Sequence, residues 1–155
     1  MELADILLKD CIVACAKVSS KRQLLQLLAQ KAAEAVDLDN QLVFETLQAR
    51  EKLGSTGLGN GIAIPHGKIA GLDKVLAIFV RLETPIEFDA VDDQPVDLAM
   101  MLLAPEGSGA DHLKALARVA RLMRTESLVE QLRDSKKCED LYGLLTAPLQ
   151  DSAAA

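Results

Sequence analysis

Gly54-Ser-Thr-Gly-Leu-Gly-Asn-Gly-Ile-Ala-Ile-Pro-His-Gly-Lys68 is the stretch on which the reading of this chain turns. It carries five of the nine glycines in the sequence and one of its two histidines. Glycine has no Cβ, so this backbone can turn tightly and come close to a ligand. Ile62-Ala63-Ile64 reads as a short buried strand, which Pro65 stops by removing a ladder donor. His66 is then delivered at a strand end between proline and glycine, a placement better suited to chemistry than to packing. A neutral imidazole can act as nucleophile, general base or ligand. Glycine-rich amides suit an anion, with phosphate the usual one. Taken alone, the same residues also fit a plain turn histidine on a loop.

Upstream, Ser20-Lys-Arg-Gln23 has the form of a capping box, opening a helix to about Val36 with Leu24, Leu28, Ala32 and Ala35 along one stripe. Lys21 and Arg22 stand in its first turn, where the helix dipole disfavours cations, and read as solvated surface charge. Asp39 caps a second helix over roughly 40–52, whose apolar stripe is Val43 and Leu47. Arg50 falls on that stripe, three residues past Leu47. A guanidinium there either snorkels to water or meets an anion in the glycine-rich stretch that follows.

Downstream, 75–82 and 96–104 are nearly continuous apolar runs, as in strands covered on both faces. The polar connection 83–95 between them reads as a surface loop. Residues 11–16 suggest another short strand, preceded by an entry segment over 1–10. A helix starting near Ser108-Gly-Ala-Asp111 would turn Leu113, Leu116, Ala117, Ala120 and Met123 inward, with His112 in its first turn. His112 fits a half-buried packing histidine, although a helix N-terminus also attracts phosphate. Helical pieces follow over 126–133 and, capped by Ser135, over 136–145.

Composition narrows the field. The 155 residues suit one domain with a sizeable core, half hydrophobic but only 3% aromatic. A net charge of −6 and a pI near 4.9 argue against nucleic acid and anionic membranes as partners. The N-terminus does not resemble a signal peptide, and no apolar run approaches a membrane span. Cys11, Cys15 and Cys138 lack metal-type spacing and read as buried free thiols in a cytoplasmic protein. Gly57-Leu-Gly-Asn-Gly61 lacks the Lys-Ser/Thr of a P-loop, and too few ligands surround His66 for zinc.

Three segments carry a resemblance. Arg50 to Lys68, Leu82 to Asp97, and His112-Leu-Lys-Ala-Leu-Ala117 resemble the enzyme IIA domains of the bacterial phosphotransferase system, mannitol and fructose class. The nitrogen-related branch, IIA-Ntr, is the nearest likeness, and the resemblance runs from about Leu7 to Leu145. It implies an α/β fold of PTS IIA type 2, a mixed sheet of about five strands flanked by helices on both faces. The domain would span 1–146, with a flexible tail over 147–155. It implies that His66 accepts a phosphoryl group at Nε2, its Nδ1–H held by a backbone carbonyl, beside Arg50 and His112. Ser55, Thr56 and Gly67 are expected to help bind the phosphate.

The function expected is a regulatory one. A histidine phosphocarrier protein (NPr- or HPr-like) would phosphorylate His66, and the phosphorylation state would control target proteins. One alternative is a sugar-transport IIA component passing phosphate to a IIB protein. Another is a non-catalytic anion-binding regulatory module. No metal or organic cofactor is expected, because a phosphohistidine donor is already activated. Neither nucleic acid binding nor membrane insertion is expected, and the oligomeric state is left open.

Overall fold

Every residue from Leu98 to Ala104 is fully buried. Successive strand side chains point to opposite faces, so this run must be covered on both. It forms the middle of a mixed sheet in a computed structural model that describes residues 2–147. A 3₁₀ turn at Leu3–Asp5 leads into β1 (Leu7–Ala16), α1 (Lys21–Val36) and α2 (Asn40–Lys52). Three short strands follow: β2 (Gly57–Gly59), β3 (Ile62–Ala63) and β4 (His66–Ile69). Then come β5 (Leu76–Ile86), β6 (Val96–Pro105), α3 (Ala110–Met123), α4 (Glu126–Asp134) and α5 (Cys138–Thr146).

The strand order is β1-β5-β6-β3-β2, with β4 also on β6. β1 runs parallel to β5, β5 antiparallel to β6, and β3 and β4 parallel to β6. Ile62 faces Leu98, Ala63 faces Ala99 and His66 faces Leu102, all in one register. β3 and β4 are therefore one strand interrupted around Pro65, and the expected sheet of about five strands is what the chain builds. α1 and α2 pack together over β1, β5 and β4 in one layer, while α3, α4 and α5 form the other against β6 and β1.

The caps show why the first two helices start where they do. Ser20 Oγ accepts the Gln23 N–H at 3.1 Å, and Asp39 Oδ1 accepts the Gln41 N–H at 3.2 Å. Gln23 returns its side chain to the N–H of Ser19, one residue before the cap, at 2.7 Å. Leu24, Leu25, Leu28, Ala29 and Ala32 form the buried stripe of α1, and Ala35 is exposed.

Several expectations are corrected. β1 begins four residues earlier than expected, inside the entry segment, and Leu7 already pairs with β5. β5 runs on to Ile86, and the rest of the connection is no loose loop: Phe88 and Ala90 are buried. In α3 the buried residues are His112, Ala115, Val119, Leu122 and Met123, leaving Leu113 and Ala117 exposed. Ser135 ends α4 rather than capping the next helix, its hydroxyl donating to the Gln131 carbonyl at 3.0 Å. Cys11 is a buried thiol, but Cys15 and Cys138 are exposed. The expected tail lies outside the described residues apart from Ala147.

The glycine-rich run is a β-hairpin. β2 pairs antiparallel with β3, Gly59 facing Ile62 across Asn60 and Gly61. Asn60 (φ 57°) and Gly61 (φ 81°) are both left-handed, as a type I′ turn requires. A Cβ on Gly61 would also collide with the guanidinium of Arg133 and approach Asp97 Oδ1 to 2.8 Å. Arg133 pins this turn from α4. It grips the Asp97 carboxylate at 2.8 and 3.0 Å and donates to the Asn60 carbonyl.

Candidate functional site

His66 begins β4, immediately after the break in the strand. Pro65 has no N–H to give, yet its carbonyl still accepts the Leu102 N–H at 2.9 Å, so the register survives the gap. His66 therefore stands at a strand end, as expected, but at the first residue of β4 where the interrupted strand resumes on β6. Gly67 follows because α2 crosses here at close range. A Cβ at that position would stand 2.7 Å from Thr46 Cγ2.

The half-buried imidazole of His66 is held through Nδ1, 2.8 Å from the Ile64 carbonyl. A carbonyl can only accept, so Nδ1 carries the hydrogen and Nε2 keeps its lone pair. The His112 ring lies edge-on, 5.7 Å between centroids at 65°. His112 is buried in the first turn of α3, and its Nε2 has no hydrogen-bond partner. A buried polar atom left unpaired beside a second imidazole marks a place where a polar group would gain a partner.

Both rings favour the neutral form. Burial pushes the pKa of His66 below the usual imidazole value. The Ile64 carbonyl opposes this, the Arg50 charge adds to it, and Glu51 opposes it. His112 is also lowered, first by burial and then by His66 and Lys68. A neutral imidazole with one nitrogen capped and the other unprotonated is a nucleophile that need not lose a proton first.

Arg50 and Glu51 divide the end of α2 between them. Both continue the Val43 and Leu47 stripe, but Glu51 is the buried one and Arg50 is half-buried. Arg50 Nη1 donates to the Gly54 carbonyl at 2.8 Å, and its charge reaches His66. The Glu51 carboxylate takes three donors: Lys21 Nζ at 2.9 Å, the Thr56 N–H at 3.1 Å and the Thr56 hydroxyl. Lys21 is thus no solvated surface charge, since it also lies 4.5 Å over the Phe88 ring. Its place in the first turn of α1, against the dipole, was the available signal that it answers a buried anion.

The other expected site residues have these positions. Ser55 Oγ donates to the Phe88 carbonyl at 3.0 Å and accepts the Gly57 N–H at 3.1 Å. Thr56 is buried with its hydroxyl on Glu51. The Asn60 N–H goes to Asp92 Oδ2 at 3.0 Å. Ser55 and Asn60 therefore hold the hairpin against residues 88–92, while Thr56 ties it to α2. A separate cleft of about 590 Å³, lined by Leu58, Asn60, Ile62, Met123, Arg124 and Arg133 among others, contains none of His66, Arg50 or His112. Among the described residues, no helix is long and apolar enough to cross a membrane.

Residues 5–147 match the family described as "Phosphoenolpyruvate-dependent sugar phosphotransferase system, EIIA 2". The chain is 50% identical over 148 residues to a nitrogen regulatory protein of Bradyrhizobium diazoefficiens, covering 96% of this chain and 97% of the relative. The crystal structure of nitrogen regulatory protein IIA-Ntr from Neisseria meningitidis superposes with a TM-score of 0.88 at 39% identity, covering 93% and 99% of the two chains. The Escherichia coli mannitol enzyme IIA, solved in complex with phosphorylated enzyme IIB, shares the fold with a TM-score of 0.75 at 20% identity, over 90% and 96% of the chains. The chain belongs to the phosphotransferase-system EIIA type-2 family, and within it is similar to the nitrogen regulatory proteins.

Proposed function

We propose that His66 accepts a phosphoryl group from a histidine phosphocarrier protein, and that its phosphorylation state controls the binding of target proteins in a cytoplasmic regulatory pathway. The observation that carries this reading is the Nδ1–H bond to the Ile64 carbonyl, which leaves Nε2 as the free nucleophile. The lone pair of Nε2 attacks phosphorus, an N–P bond forms, and the carrier's N–P bond breaks. Its electron pair returns to the carrier's imidazole. Phosphoryl transfer asks the protein mainly for in-line positioning and charge stabilisation. Arg50 exchanges the Gly54 carbonyl for phosphoryl oxygens, and His112 Nε2–H supplies a second donor. Ser55 and Thr56 serve the phosphate site by fixing the hairpin, and Gly67 lets the strand pass α2. The donor phosphoramidate is activated already, so neither metal nor organic cofactor takes part.

A phosphate adds close to two negative charges at this rim, which a docking partner would read directly. The test is to incubate the protein with its phosphocarrier relay and labelled phosphoenolpyruvate. The reading expects acid-labile, base-stable label on the wild type and none on His66→Ala. Label that persists in His66→Ala overturns the site. A second reading, transfer onward to a IIB protein, is favoured by the mannitol IIA–phospho-IIB complex of the same fold. Label that moves from the protein to a purified IIB would select it.

A further inference from the structure

The hydrogen bond that fixes the His66 ring is the last link of a chain that starts at Glu51. The Glu51 carboxylate accepts the Thr56 N–H at 3.1 Å as well as the Thr56 hydroxyl. The Thr56 carbonyl accepts the Ile64 N–H at 3.0 Å. The Ile64 carbonyl accepts Nδ1–H of His66 at 2.8 Å. Thr56 and Ile64 are each gripped on both sides, by one donor and one acceptor. Between them runs the hairpin, with its turn tied to α4 through Arg133.

We infer that Glu51 is a positioning residue for His66. Its carboxylate, anchored by Lys21, sets the place of Thr56 and through Ile64 the orientation and tautomer of the imidazole. A buried carboxylate is poorly explained as a stability device, because apolar residues of like size commonly do as well. Glu51 is nonetheless buried to 9% exposure and matched by three donors, one from α1 and two from the segment entering the hairpin. What an apolar residue could not do is fix that segment in one position relative to α2. Small displacements of a reacting group are costly, so a carboxylate that fixes an intervening strand acts on the reaction without touching it.

The kinetic arm of the test rests on the phosphoryl-acceptor reading, and the spectroscopic arm does not. Glu51→Gln keeps the volume, but its NH₂ then opposes the donors of Lys21 and Thr56. Thr56→Val removes the hydroxyl link alone. Histidine ¹⁵N spectra of the unphosphorylated full chain report the tautomer of His66. Wild type should show the Nδ1–H form alone, and both variants a mixture of Nδ1–H and Nε2–H. With carrier, both should lose about tenfold in kcat while KM for the carrier stays within about twofold. Thr56→Ser should recover most of what Thr56→Val loses, and the double variant should be no slower than the slower single, because both changes break one link.

A pure Nδ1–H ring and wild-type exchange in both variants would overturn the inference. So would additive losses, or Thr56→Ser as impaired as Thr56→Val. If Glu51→Gln does not fold, Thr56→Val and Thr56→Ser carry the same comparison without an altered buried charge. A wild-type ring in the Nδ1–H form that accepts no phosphate would overturn the acceptor reading and leave the tautomer result to judge Glu51.

Discussion

Gly67→Ala should destabilise the protein by a predictable route. The new methyl carbon would lie 2.7 Å from Thr46 Cγ2, where ordinary contacts start at 3.4 Å. Thr46 cannot rotate away at no cost, because its hydroxyl donates to the Leu42 carbonyl at 2.8 Å and it is β-branched within α2. Either α2 or the strand must move. Overpacking of this kind costs about 1–3 kcal/mol. At about 2–4 °C per kcal/mol for a chain of this size, Tm should fall by about 2–12 °C. Thr46→Ser removes the obstructing methyl and keeps the hydroxyl, so the double variant should regain at least half of the loss. The assay is thermal and denaturant unfolding of the four proteins in a double-mutant cycle. An unchanged Tm in Gly67→Ala, or a loss that Thr46→Ser does not relieve, would refute the contact argument.

Other expectations follow from the same geometry. Arg50→Gln should fold normally, since Arg50 is only half-buried, but should exchange phosphate about ten- to a hundredfold more slowly for want of one charge-assisted contact worth about 1.5–3 kcal/mol. The same variant should raise the His66 pKa, because the Arg50 charge helps to lower it; an NMR titration shows the direction. His66 and His112 both have folded pKa values below that of the unfolded imidazole. The unfolded chain then binds more protons in acid, so their contribution is full above pH ~6.5 and is lost as pH falls towards the folded values. Denaturant unfolding at pH 7.5 and 5.5 should show it, and His66→Gln should reduce the difference. Arg133→Ala should cost about 1–2 kcal/mol and speed amide exchange at the Asn60–Gly61 turn, because the bidentate grip on Asp97 is partly exposed and the Asn60 carbonyl loses its donor.

What the sequence revealed divides along physical lines. Local signals held: the Ser20 and Asp39 caps, the doubly covered runs of β5 and β6, and the position of Arg50 on its helix all depend on neighbours within a turn or a strand. The Asn60-Gly61 hairpin is legible too, as Asn-Gly between short apolar pieces, a signal that the density of glycine around it masks. Long-range pairing was not legible. Nothing local in Lys21 says that Glu51 lies opposite, or that Phe88 will sit beneath its ammonium. The continuation of one strand across Pro65 also escaped, since it depends on the register with β6. The periodicity of α3 alone points Leu113 inward, whereas His112 and Ala115 are the residues of that turn that face the core.

One measurement bears most directly on the account. Phosphorylate the ¹⁵N-histidine-labelled chain with its carrier and record the ¹⁵N–³¹P coupling. Coupling to Nε2 of His66, with Nδ1 still protonated against Ile64, is what the geometry predicts. Phosphorus found on Nδ1, or on another residue, would contradict it.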